Sequence, residues 1–285
     1  MPEIADANAL RGDEFRKLIR KPKTWIFIGI PALVATAFGA AMMPLLGVAF
    51  LAVAVLIGLA ICFWIADHRS AKAFFGAYAT ARGLNWHEGG QALDGSSPFL
   101  RKGDKRKVNQ LFTGSLADGI DGSLALYTYT VESTDSNGND SDTDYPFTVV
   151  TVRMPETVAH LPELRVQNKS GFKALEKFED SFRRKHERVT LESEALRDRF
   201  EIFVRKDQDQ IWVRRLFSPS FIVWLTESPP KKFAFEIEEG YFVAYLPKHR
   251  ESVEGLDEMI AVSCHVAGRL QEEVTQTSPA TAREA

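Results

Sequence analysis

Residues 24–66 read TWIFIGIPALVATAFGAAMMPLLGVAFLAVAVLIGLAICFWIA, 43 positions of which 35 are hydrophobic, and none of the chain's 35 basic and 38 acidic residues falls among them. As helix this run would measure about 65 Å at ~1.5 Å per residue, roughly twice a ~30 Å hydrocarbon core. One span is too few, and two joined by a tight turn fit. Pro44, after Met42 and Met43, is the natural break and predicts spans near Trp25–Met42 and Leu45–Ile65. A buried soluble helix pair and a cleaved signal peptide are the competing readings. The run is far too long for the latter, and the remainder lacks paired cysteines.

Flanking charge sets the orientation. Arg16, Lys17, Arg20, Lys21 and Lys23 crowd the entrance, Arg69 and Lys72 follow the exit, and the turn between the spans carries no charge. The positive-inside rule then places both ends in the cytoplasm, with Trp25 and Trp64 at one membrane interface. Ala35 with Gly39, and Ala54 with Gly58, set small residues four apart on each span, a spacing that lets helices approach closely. Leu10, Phe15, Leu18 and Ile19 among the basic residues of segment 1–23 suggest a short interfacial helix, although the same charges serve as a topology signal alone.

Over the whole chain the averages look ordinary: 285 residues, 45% hydrophobic, 26% charged, net charge −3 and mean hydropathy −0.15. They exclude a collagen, a disordered tail, a disulfide scaffold and a polybasic nucleic-acid binder. Cys62 and Cys264 are the two cysteines, one in the second span and one near the C-terminus, as suits a reducing compartment. The averages conceal a membrane hairpin joined to a hydrophilic domain.

Beyond the hairpin, Asp67–Arg82 continues as helix and Gly83 stops it. A turn-rich stretch follows, with Gly89, Gly90, Gly95, Ser96, Ser97 and Pro98. The period then changes to two: Leu124, Leu126, Thr128 and Thr130 alternate with Ala125, Tyr127, Tyr129 and Val131. Phe147, Val149 and Thr151 form a matching strand beyond a loop over 133–144, and an earlier strand runs near Val108–Ser115. Later come a short strand at Val189–Leu191, a helix at Glu192–Arg199, a strand at Phe200–Val204 and a helix opened by Ser218-Pro219. Phe233, Phe235 and Ile237 pair through a turn at Glu239-Gly240 with Tyr241, Val243 and Tyr245. Val253, Leu256, Ile260, Ala267, Leu270 and Val274 mark an amphipathic helix before a frayed tail at 276–285. The expected fold is α+β: a two-helix transmembrane hairpin over 24–66, a juxtamembrane helix over 67–83, and a cytoplasmic domain over 84–275 of antiparallel sheet packed with helices. Two halves, 84–170 and 171–275, are plausible, forming either one sheet or two.

The run Asp209-Gln210-Ile211-Trp212-Val213-Arg214-Arg215-Leu216-Phe217-Ser218-Pro219, with Val189-Thr190-Leu191-Glu192 and Phe200–Val204 upstream, resembles a family of uncharacterised bacterial membrane proteins. That family's pattern has an Asp-Gln, an Arg five residues after the Asp and a Thr-Pro helix start. Asp209, Arg214 and Ser218-Pro219 hold those spacings here, and Phe233, Phe235, Tyr241 and Tyr245 fit its closing hairpin. Trp212 and Arg215 stand where an acidic and an aromatic residue are expected. The resemblance implies a bacterial cytoplasmic (inner) membrane location and this architecture, with no established activity and no catalytic residues to carry over. Asp209 and Arg214 read as a structural ion pair.

No phosphate-binding, dinucleotide, serine-hydrolase or zincin motif occurs, so no catalytic residue, cofactor or metal is assigned. The six histidines are scattered. Cys264 and His265 are neighbours that a helix points ~100° apart, and they cannot comfortably grip one metal. The acidic loop at 135–144 alternates oxygen ligands as calcium loops do. Yet Asp140 and Pro146 stand where an EF-hand needs Gly and Glu, so a solvated hairpin tip is the simpler reading. Two basic runs, Arg101, Lys102, Lys105, Arg106, Lys107 and Arg183, Arg184, Lys185, Arg188, could meet anionic lipid headgroups or form solvated faces. Net charge and tether disfavour nucleic acid. The leading expectation is a non-enzymatic membrane protein presenting an interaction or scaffolding domain. The expected partners are the bilayer, a protein partner or a second copy; a ligand- or lipid-sensing domain and an enzyme with a novel site are the alternatives.

Overall fold

The computed structural model describes residues 15–42, 44–134, 138, 140–159, 161, 163–169, 185–208 and 210–277. The chain divides into two compact units, Met1–Arg82 and Gly83–Ala285.

In the first unit a short helix over 15–20 leads into α1 (Pro22–Met42) and α2 (Pro44–Arg82). Pro44 opens α2, where a missing N–H costs nothing, and Gly83, at φ +66°, follows its last turn. The two helices run antiparallel, with Phe15 edge-on to Phe63 and Ile28 seated on Gly58, where a Cβ would come within 2.7 Å of its Cγ2. Among the described residues, Gly47–Arg82 is long and apolar enough to cross a membrane, and the apolar stretch Pro22–Phe38 is shorter. Two spans are expected, and among the described residues one helix has the length and composition to cross a membrane; it runs unbroken from Pro44 through the juxtamembrane segment to Arg82.

The second unit is built on one antiparallel sheet. Its strands are β1 (Asn85–Glu88), β2 (Lys105–Ala117), β3 (Ile120–Thr134), β4 (Asp140–Arg153), β5 (Glu163–Asn168), β6 (His186–Val189), β7 (Phe200–Arg205), β8 (Ala234–Glu238) and β9 (Tyr241–Pro247). The nine lie in the order β1-β2-β3-β4-β9-β8-β5-β7-β6. The open choice between one sheet and two is settled by β4, which pairs with β9 from Phe147↔Pro247 to Arg153↔Tyr241 and so joins both halves. The hairpin at Glu239-Gly240 turns on two left-handed residues, φ +52° and +77°, as a type I′ turn requires.

Four α-helices are described in the domain: α3 (Glu194–Arg199), α4 (Gln210–Leu216), α5 (Pro219–Glu227) and α6 (Val253–Thr277). Ser193 caps α3 by accepting the Leu196 N–H. Ser218 precedes Pro219 at the start of α5 as expected, but its hydroxyl meets Ser220 Oγ at 3.2 Å and caps no backbone N–H. α6 buries Leu256, Met259, Val266, Ala267, Leu270 and Val274 and packs across β2, β3, β4 and β9. This is the helix face of the sheet, lined by Leu124, Leu126, Val150, Val152, Phe242 and Ala244.

Two expectations are corrected. The loop over 133–144 is shorter, because β4 begins at Asp140 and pairs Thr134↔Asp140 through Thr130↔Asp144. Cross-strand hydrogen bonds explain this, from Thr134 Oγ1 to Asp140 (2.7 Å) and Thr130 Oγ1 to Asp144 (2.6 Å). Of the candidate calcium ligands, 135–137 and 139 lie outside the described residues, as do 278–285 of the expected tail; Gln276 and Thr277 belong to α6.

Candidate functional site

Among the described residues, the opposite face of the sheet has no helix on it. Register places Val108, Leu111, Ala125, Tyr127, Tyr129, Phe147, Val149, Val243 and Tyr245 there, an apolar surface rich in aromatic rings. Residues 89–104 cross it as a strap without regular structure. Gly89, Gly90 and Gly95 at positive φ, and Pro98, break any helical or strand period. At Gly95 the strap backbone comes close to the sheet: a Cβ would lie 3.4 Å from Thr151 and 3.6 Å from Val243.

Phe99 anchors the strap. It is 1% exposed, stacks on Tyr245 at 3.9 Å between centroids and 6° between planes, and meets Phe147 edge-on at 4.9 Å. Such pairs add about 0.5–1.5 kcal/mol beyond area burial. Its backbone N–H donates to Glu236 Oε2 (2.9 Å), and Tyr245 Oη donates to Glu236 Oε1 (3.1 Å). Arg165, from the neighbouring strand β5, brings Nε within 3.1 Å of the same Oε1. Glu236 is fully buried, so these partners replace the water it has lost. Burial, with the charge of Glu236 beside it, pushes the Tyr245 phenol well above its ordinary range and keeps it a donor.

Further out, Arg101 forks onto Glu238 with two hydrogen bonds of 2.6 and 2.7 Å. Burial pushes Glu238 up, but the hydrogen bonds and charge of Arg101, with the Ser96 hydroxyl and the charge of Arg165, together leave the carboxyl below its ordinary range. Tyr127 Oη donates to Leu100 O (3.1 Å). Asp104 closes the strap onto β3, its N–H donating to Thr130 O (2.8 Å) and its Oδ2 accepting from Glu132 N–H (2.9 Å). Lys102 is buried, and burial lowers its ammonium to about 8, against the pull of Glu236.

The basic run Arg101–Lys107 is therefore not one solvated patch. Arg101 pairs with Glu238, Lys102 is buried, and Lys105 pairs with Glu132 and with Asp142. Arg106 and Lys107 are exposed. A β-bulge between Val108 and Gln110 puts Arg106 and Val108 on the same face as Leu111. Beside the strap this leaves an open cleft of about 240 Å³, lined by Leu93, Leu100, Arg106, Lys107, Val108 and Tyr127. A wider depression of about 410 Å³ lies at Leu191, Arg214, Phe217, Pro219, Ile222 and Val223, around the α4–α5 elbow.

The other sequence candidates are scattered. Arg16, Lys17, Arg20, Lys21 and Lys23 are exposed around the 15–20 helix, and Leu18 is buried; Leu10 lies outside the described residues. Trp25 donates its indole N–H to Ile19 O (2.8 Å), and Trp64 stacks on His68. Gly58 lies against Ile28 and Ala54 is half-buried, whereas the side-chain surroundings of Ala35 and Gly39 lie outside the described residues. So does Asp209. Arg214 is exposed and has no ion pair among the described residues, so the expected pairing with Asp209 stays an expectation. Of the second basic run, Arg183 and Arg184 fall outside the described residues, and Arg188 pairs with Glu201 (3.3 Å).

Cys264 is buried, its thiol pushed up to about 11 by burial, while His265 is exposed and stacked on Trp224 at 3.9 Å. The neighbours point apart. Among the described residues no group of three or more His, Cys, Asp or Glu could hold a metal ion. Sequence reasoning missed β5 and with it Arg165, and it passed over Glu236. The available signal was a lone carboxylate inside Phe233-Ala234-Phe235-Glu236-Ile237, and Pro98-Phe99-Leu100 inside an otherwise polar loop.

No family model matches the chain, and no curated protein matches it. Among solved structures, the crystal structure of the mycobacterial trehalose monomycolate transport factor A, TtfA, is similar at 10% identity and a TM-score of 0.43, the alignment covering 69% of this chain and 92% of that one. A likeness at that score carries no argument about this chain.

Proposed function

We propose that the chain is an integral membrane protein whose helices α1 and α2 are two spans, with both termini cytoplasmic, and that it presents the nine-stranded domain to the cytoplasm as an interaction module. One observation carries the membrane reading. The helix pair turns large apolar side chains outward, Phe27 and Leu33 each 69% exposed, Phe38 70% and Leu56 66%, over a stretch without a single charge. In water such a surface drives association, whereas in hydrocarbon it is at home. The cations clustered beside Trp25, and Arg69 with Lys72 beyond Trp64, support the orientation. The resemblance of 209–219 to a bacterial membrane-protein family fits this reading and its inner-membrane location. The binding role is supported by the sheet centre, where Glu236 and Arg165 pair with one another and the pocket they line with Glu163, His186 and Glu238 holds only about 10 Å³.

The test pairs carbonate extraction with C-terminal reporters. The chain should stay in the membrane pellet, a C-terminal fluorescent protein should light up and a C-terminal alkaline phosphatase should stay inactive. Release into the carbonate supernatant, or an active phosphatase, overturns the reading. Crosslinking in native membranes should then recover a specific protein partner or a second copy.

A further inference from the structure

We propose that the cleft between the strap and β2 binds a single-chain anionic amphiphile, with its alkyl chain on Leu93, Leu100, Val108 and the Tyr127 ring and its carboxylate or phosphate head at Arg106. This goes beyond the membrane reading and does not rest on it.

Charge complementarity selects the head. Of the five cations in Arg101–Lys107, three are consumed inside the fold, as described above. Arg106 and Lys107 have no ion pair among the described residues and both line the cleft, and no acidic residue lines it. An anion arriving there meets Arg106, with no internal competitor, and Arg106 can engage a carboxylate or phosphate through two N–H groups. Composition of the floor selects the tail. Val108 and Tyr127 are buried, Leu93 and Leu100 half-buried, and the Tyr127 hydroxyl is already spent on Leu100 O, so the surface offered is hydrocarbon and ring. A bare phosphate would leave that floor unused, and a neutral alkane would desolvate Arg106 with nothing in return. The volume, about 240 Å³, falls below the ~300–1,000 Å³ of ordinary small-molecule pockets, which fits part of one alkyl chain and excludes a two-chain lipid body. The bulge at Asn109 provides this arrangement, since it is what places Arg106 and Val108 in line with Leu111.

The experiment uses the full chain in phosphatidylcholine nanodiscs, exposed separately to diazirine-bearing palmitate and diazirine-bearing lysophosphatidate, with crosslinks mapped by peptide mass spectrometry. Crosslinks should fall within residues 89–108 and be displaced by unlabelled palmitate but not by hexadecanol. Arg106→Glu, at an exposed position, should lower them about tenfold, the loss of one charge-assisted contact. Ala92→Trp, exposed at the cleft, should block it without touching the core. Labelling by the carboxylate probe alone assigns a free fatty acid, and labelling by the phosphate probe assigns a lysolipid head; either supports the proposal. Labelling confined to other peptides, equal displacement by hexadecanol, or undiminished labelling of R106E in a chain that melts like wild type overturns it. None of these outcomes alters membrane fractionation, so the two readings fail separately.

Discussion

Glu236 and Lys102 occupy the same buried quarter of the molecule with opposite consequences for stability. Glu236 is answered on every side, by Arg165, the Phe99 N–H and Tyr245. Replacing it with leucine strands the Arg165 guanidinium. Glu236→Leu should therefore cost about 3–5 kcal/mol in urea unfolding, and adding Arg165→Met should recover a large part of that loss. Recovery in the double variant is the discriminating measurement. Lys102 carries its charge at a cost. Burial holds its folded pKa near 8, below the ordinary lysine value of 10.5, so between these values the unfolded chain binds more protons and stability rises with pH as this group sheds its charge. Lys102→Met should thus stabilise the domain by about 3 kcal/mol at pH 7, at ~1.36 kcal/mol per pKa unit, with the advantage shrinking as pH climbs from 8 towards 10.5. Thermal melts of both chains across that range give the check; a constant difference would refute it.

At the scale of elements, the strap depends on one glycine. Gly103 has φ +73°, and a Cβ there would sit 2.7 Å from Thr130 O and 2.9 Å from the Tyr129 ring, at the point where Asp104 closes the strap onto β3. Gly103→Ala faces both a left-handed backbone, at ~1–2 kcal/mol, and a clash with a carbonyl that cannot move aside. Trypsin should then cut after Arg101 or Lys102 much faster than in wild type while the β2–β4 meander survives; equal rates would show that the strap is held elsewhere. This element also shows what sequence could convey. β3, β4, β8 and β9 were readable because their residues alternate against two different faces, and α6 because its stripe recurs every three to four positions. β5 was not, since Arg165 at its centre is charged and becomes acceptable only beside Glu236, a partner some 70 positions away. The strap was visible only as a run of turn formers. Its anchor, Phe99, has meaning only against rings brought from β3, β4 and β9, and the cleft depends on a bulge that no periodicity announces.

At the scale of the whole molecule, the helix pair α1–α2 makes a close contact at Gly58. The Cβ position at Gly58 lies 3.3 Å from Ile28 Cβ, near the ~3.5–4.5 Å of a disulfide. Ile28→Cys with Gly58→Cys, in a chain whose Cys62 and Cys264 are replaced by serine, should crosslink within one molecule on mild oxidation in the membrane. Failure, or crosslinks only between molecules, would separate the two helices. The nine-stranded sheet has a different consequence, one of timing. β4 ends its pairing with β3 at Val152, but its other edge waits for β9, so Phe147 must wait for Pro247, a hundred residues further along the chain. At ~5–20 residues per second of synthesis that is roughly 5–20 s, during which Thr148-Val149-Val150-Thr151-Val152 stands beside the ribosome as an open, β-prone edge. The domain is most exposed to misassembly before it is complete, while β4 still waits for β9.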